Sequence, residues 1–93
     1  MAARSILVVD DDDNVRDLVV RYLKAQGYHT TAVTRGEEAL PHLERPDLDL
    51  VITDFKMPGL NGLELAQKAL AADPARPVIL MTAFADVDNA RKS

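Results

Sequence analysis

Short apolar runs recur along this chain, separated by longer amphipathic stretches, and that alternation predicts strands of a parallel sheet covered by helices on both faces. The first strand spans Ser5 to Val9. Val15, Leu18, Val19, Tyr22 and Leu23 then fall at i, i+3, i+4, i+7 and i+8, one apolar helix face, with Asp11 or Asp12 placed to cap its start and Gly27 its end. Tyr28 to Val33 predicts a second, weaker strand. Thr34-Arg35-Gly36-Glu37 has capping-box spacing for a helix through Ala39, Leu40 and Leu43. Pro41 falls inside that helix, where a missing donor and a clash one turn back cost about 3 kcal/mol, so a kink or a short helix is expected. Leu50 to Thr53 predicts the third strand, followed by the turn pairs Pro58-Gly59 and Asn61-Gly62 and a helix through Leu63, Ala66, Ala69 and Leu70 that Asp73-Pro74 ends. Pro77 opens a fourth strand, Val78 to Met81, at a position that tolerates a missing amide donor. Thr82 to Ser93 reads as a loop and the start of a helix.

The polar residues that end the apolar runs carry the chemistry. Asp10 and Asp11 close the first run and Asp54 closes the third, so three carboxylates fall at the carboxyl ends of strands. In an open α/β sheet ligands bind at that edge, where the strand order reverses. Carboxylates about 5 Å apart repel by roughly 3 kcal/mol per pair at an effective dielectric of 20, a cost that a hard cation removes. Mg²⁺ suits such a site, because it accepts one or two carboxylates, keeps several waters and bridges to phosphate. One carboxylate is then a candidate nucleophile for phosphoryl transfer, and Asp54, alone at its strand end, is better placed than the paired Asp10 and Asp11. Spacing alone leaves a plainer reading equally open, in which Asp10 to Asp13 cap a helix and Asp54 ends a strand.

Composition narrows the function class. The 93 residues make one domain, with 47% hydrophobic residues to build a core. A net charge of −4, with the eleven Lys and Arg scattered, argues against direct nucleic-acid binding. No cysteine is present, which fits a cytoplasmic location, and no apolar stretch approaches the ~20 residues of a membrane span. His29 and His42 lack metal-ligand spacing and read as surface residues, and Arg16 reads as a solvated charge.

The segments ILVVDDDDNVR, VITDFKMPGLNGLEL and PVILMTAFAD, in that order and at these intervals, resemble the receiver domain of two-component response regulators over essentially all of residues 1–93. The resemblance implies a doubly wound, flavodoxin-like parallel sheet with strand order 2-1-3-4, the full family order being 2-1-3-4-5. It implies that Asp54 is the phospho-acceptor and that Asp10, Asp11, Asp54 and the backbone carbonyl of Lys56 hold Mg²⁺. Thr82 matches the hydroxyl residue that contacts the phosphoryl group, and Ala83 the small residue that leaves it room. Met57-Pro58 and Gly62 match the turn shaping the acceptor loop. The implied partner is a histidine kinase or phosphotransfer protein that donates the phosphoryl group, and the module modifies itself rather than turning over an external substrate.

The chain also departs from the family pattern. No fifth strand ending in Lys-Pro and no fifth helix occur in these 93 residues, and Lys92 has no apolar strand before it, so the role of the phosphate-binding lysine is not carried over. The stop at Ala90-Arg91-Lys92-Ser93, inside an expected helix, favours a piece of a longer chain over a naturally shortened protein. Without a fifth strand, Val78 to Met81 is expected to be an exposed apolar edge through which the chain self-associates. Two alternatives follow: a receiver that acts as a phosphorylation-independent dimerisation or docking module, and a phosphatase whose nucleophile is Asp10.

Overall fold

The computed structural model describes residues 4–81. Four parallel strands, β1 (Ser5–Val9), β2 (His29–Val33), β3 (Leu48–Asp54) and β4 (Val78–Met81), form one sheet in the order β2-β1-β3-β4. The chain runs outward from β1 to β2, then returns across it to β3, so the order reverses between β1 and β3. This is the expected doubly wound arrangement.

Alternation along the strands sorts side chains between two core layers. Leu7 and Val9 of β1 face α2 (Gly36–Ala39), the 3₁₀ turn over Leu40–Glu44 and α3 (Gly62–Ala72), and share a core there with Leu43, Leu48, Val51, Met57, Leu65 and Ala69. Ile6 and Val8 point the other way, toward α1 (Asp13–Ala25), and pack with Leu23 and Ile52. Strand β3 is longer at both ends than the apolar run predicts. Leu48 pairs with Ser5 at one end and Asp54 with Met81 at the other, because the ladder continues through polar residues when both neighbours are strands.

Pro41 has the expected effect. The α-helix stops after four residues, and Leu40–Glu44 continue as a 3₁₀ turn with the proline in its first positions, where no amide donor is required. The capping box at Thr34 does not form as expected. The helix starts one residue later, at Gly36, which places Glu38 rather than Glu37 at its third position, and Glu38 accepts from the Thr34 amide and hydroxyl.

The apolar face expected on α1 is only partly used. Leu23 is buried and Val19 half-buried, but Leu18 and Tyr22 are 68% and 64% exposed. Among the described residues α1 alone covers this side of the sheet. It aims Val19, Val20 and Leu23 at β1 and β3 and leaves Leu18 and Tyr22 beside Ile79 and Met81, over an apolar groove. Strand β4 pairs only with β3 among the described residues, and its Ile79 and Leu80 are exposed, as expected of an edge.

Arg76, which sequence patterning does not single out, is buried just before β4. Its guanidinium donates to the carbonyls of Leu48 (2.8 Å), Leu43 (2.9 Å) and Arg45 (2.9 Å), fastening the 3₁₀ turn and the start of β3 to the approach to β4. His42, expected at the surface, is half-buried with Nδ1 3.4 Å from an Arg45 guanidinium nitrogen.

Candidate functional site

Adjacent strands β1 and β3 bring the three acids together. One carboxylate oxygen from each of Asp10, Asp11 and Asp54 lies within 4.8 Å of the others at the carboxyl edge of the sheet. Each acid is held differently. Asp10 follows β1 and is buried. Its amide donates to Val33 O (3.3 Å), its Oδ1 accepts the Asp12 amide (2.9 Å), and the Arg16 guanidinium donates to its carbonyl (2.9 Å). Asp12 is the helix cap, its Oδ1 accepting the amides of Asn14 (2.9 Å) and Val15 (3.1 Å). The cap thus falls to Asp12, and Asp11, exposed, remains with the cluster. Arg16 is not the purely solvated charge expected. It reaches back one turn and pairs with Asp13 while fastening the Asp10 backbone, a link suggested only by a cation in the first turns after a strand-terminal acid.

Asp54 is half-buried at the end of β3. The chain leaves it under tight constraint: the Phe55 amide donates to Met81 O (2.8 Å) and the Gly62 amide to Phe55 O (3.0 Å). A Cβ on Gly62 would stand 2.0 Å from Asp54 O, so glycine lets α3 begin directly against the backbone of this acid. Asn61 caps α3 reciprocally with Glu64. Met57 turns into the core, while exposed Lys56 lines a shallow depression with Asp11, Phe55, Pro58 and Asn61. Thr82 and Ala83 lie outside the described residues.

The electrostatics follow from the packing. Burial raises the Asp10 carboxyl above the ordinary aspartate range, with Asp11 and Asp12 adding to the rise against the Asp12 amide and Arg16. Asp54 is raised first by burial and then by the Asp10 carboxylate. Both acids resist ionising as they stand. A hard divalent cation reverses that preference, and three convergent carboxylate oxygens are the donor set that Mg²⁺ takes, so the cluster fits the metal.

Comparison with known proteins agrees with this geometry. The model of the family described as "Response regulator receiver domain" matches residues 6–93. The response regulator receiver protein CpdR of Brucella abortus is 36% identical over 84 residues, covering 90% of this chain and 70% of that protein. The C4-dicarboxylate transport transcriptional regulatory protein DctD of Rhizobium meliloti is 37% identical over 86 residues, but the chain spans only 19% of its length. The response regulator TrrA of Thermotoga maritima, solved in complex with Mg²⁺-BeF, aligns with a TM-score of 0.82 and 38% identity over 92% of this chain and 75% of that one. TrrA in complex with the histidine kinase ThkA aligns with a TM-score of 0.79 and 41% identity over 87% of this chain and 70% of that one. A match that runs nearly end to end, over a sheet whose switch point gathers the acids, makes this chain a member of the response regulator receiver domain family.

Proposed function

We propose that this chain is a phospho-accepting module in which Asp54 takes a phosphoryl group from a histidine kinase or phosphotransfer protein and so switches an output domain or partner. The observation that carries the reading is the convergence of Asp10, Asp11 and Asp54 at the switch point of the sheet. The kinase partner is supported by the ThkA complex of TrrA. Among the described residues no helix is long and apolar enough to cross a membrane.

In this reading an Asp54 carboxylate oxygen attacks phosphorus in line, a P–O bond forms, and the P–N bond of the donor phosphohistidine breaks with its electron pair returning to the imidazole. Asp10, Asp11, Asp54 and the Lys56 carbonyl would hold Mg²⁺, which when bound neutralises the carboxylates and the phosphoryl oxygens. Asp10, fixed by the Asp12 amide and by Arg16 on its carbonyl, orients the acidic pair. Gly62 lets the acceptor backbone lie against α3. Thr82 and Ala83 are assigned to contact and accommodate the phosphoryl group on the strength of the resemblance.

The apolar groove beside Leu18, Tyr22, Ile79 and Met81 favours a second reading, association of two copies along α1 and the β4 edge without phosphorylation. A phosphatase using Asp10 is disfavoured, because Asp10 is buried and engaged by its own turn while Asp54 is more open.

Intact-mass measurement after incubation with Mg²⁺ and a small phosphodonor tests the first reading. A gain of one phosphoryl group that vanishes in Asp54→Asn supports it. No gain in a folded wild-type chain overturns it, and capture lost only in Asp10→Asn would install the phosphatase. Size-exclusion chromatography with light scattering decides the second reading, which a stable monomer at high micromolar concentration would sink.

A further inference from the structure

The capping residue that α2 leaves unused has a long-range partner. With Glu38 serving Thr34, the neighbouring Glu37 has its Oε1 free to accept the Leu60 amide at 3.0 Å, across 23 residues of sequence. Leu60 ends the Pro58-Gly59-Leu60 turn in the connection that leads from Asp54 to α3. Two glycines make the contact possible. A Cβ on Gly36 would lie 2.6 Å from Leu60 O, and a Cβ on Gly59, which has a φ of +74°, would lie 2.2 Å from the same Glu37 oxygen. Both sides of the junction are therefore shaped for a backbone and a carboxylate to meet closely. The Leu60 amide is also the main reason the Glu37 carboxyl sits below the ordinary glutamate range.

The connection is also anchored by Met57 in the core, by the Phe55 amide on Met81 O and by the Gly62 amide on Phe55 O. Lys56 lies between the Asp54 end and the Leu60 end of this span. We propose that Glu37 is a positioning residue for the acceptor site: by holding the Leu60 limb against α2 it fixes the connection that presents the Lys56 carbonyl and the Asp54 carboxylate to Asp10 and Asp11. Glu37 touches no reacting atom. This inference rests on the reading of the acidic cluster as a Mg²⁺-dependent phospho-acceptor.

The test is Mg²⁺ titration by calorimetry on wild type, Glu37→Ala and Glu37→Gln, with phosphoryl incorporation, urea stability and exchange of the Leu60 amide measured on the same samples. Glu37→Ala is expected to lower Mg²⁺ affinity about tenfold, the low end for residues that support metal ligands from outside. It should slow incorporation at subsaturating Mg²⁺ and recover the wild-type rate at saturation. Glu37→Gln keeps an acceptor oxygen and should stay within about twofold of wild type. The inference is overturned if Leu60 exchange accelerates in Glu37→Ala while Mg²⁺ affinity is unchanged, or if the affinity loss merely tracks the unfolded fraction. A wild-type chain that is folded yet neither binds Mg²⁺ nor takes up phosphoryl overturns the functional reading itself, a result visible before any variant is compared.

Discussion

Replacing Asp54 by Asn should make the metal-free protein more stable while weakening its response to Mg²⁺. Three carboxylate oxygens within 4.8 Å of one another repel at about 3 kcal/mol per pair for an effective dielectric of 20. Asp11 is exposed and Asp54 half-exposed, so water screens much of this, and a gain of about 1–2 kcal/mol is expected on removing one charge. Mg²⁺ at a hundred times its dissociation constant should stabilise wild type by about 3 kcal/mol and Asp54→Asn far less. The pH dependence has a definite sign. Burial raises Asp10 and Asp54 above their unfolded values, so between the two values the native state holds more protons than the unfolded chain. Metal-free wild type therefore loses stability as pH rises from the ordinary carboxylate range through the raised native values. The advantage of the variant should be largest at pH 7 and shrink on acidification. Urea unfolding followed by circular dichroism, with and without Mg²⁺ at several pH values, measures all of this. An Asp54→Asn protein no more stable than wild type without metal, or stabilised equally by Mg²⁺, would refute the account of a mutually repelling metal cluster.

Arg76→Met should cost about 2–4 kcal/mol, because three carbonyls, two of them in buried bonds, lose a charged donor while the apolar replacement recovers part of the packing; a loss under about 1 kcal/mol in urea unfolding would contradict this. Gly62→Ala forces a Cβ against the Asp54 carbonyl, so it should lose about 1–3 kcal/mol and slow phosphoryl incorporation at saturating Mg²⁺, both readable on one preparation. Asp12→Ala removes the α1 cap and should cost about 1 kcal/mol in thermal unfolding while leaving Mg²⁺ affinity within about threefold, since Asp12 caps the helix and lies outside the acid cluster.

The strands were legible because burial on both faces demands continuous runs such as Ile6 to Val9, and a run of that kind is a local property of the chain. So was the short second helix, since the missing donor of Pro41 acts within one turn. The placement of acids at strand ends could also be read directly, and it suffices to locate a candidate site at one edge of the sheet.

Which acid of the run caps the helix could not be read this way. Asp10 to Asp13 are chemically alike, and only the exit of the chain from β1 gives Asp12 the cap and leaves Asp11 in the cluster. That Asp54 reaches them, from more than forty residues away, depends on β1 and β3 becoming neighbours. Arg76 looks like an ordinary loop cation until the turn before β3 surrounds it with carbonyls. Glu37 carries a motif whose local use was plausible, yet a one-residue shift in the helix start hands that use to Glu38 and turns Glu37 toward Leu60. Patterning records whether a residue is apolar and how it is spaced, which decides what is buried and in which element. The partners of charged side chains are set by approach across the fold, and that approach exists only once the sheet is assembled.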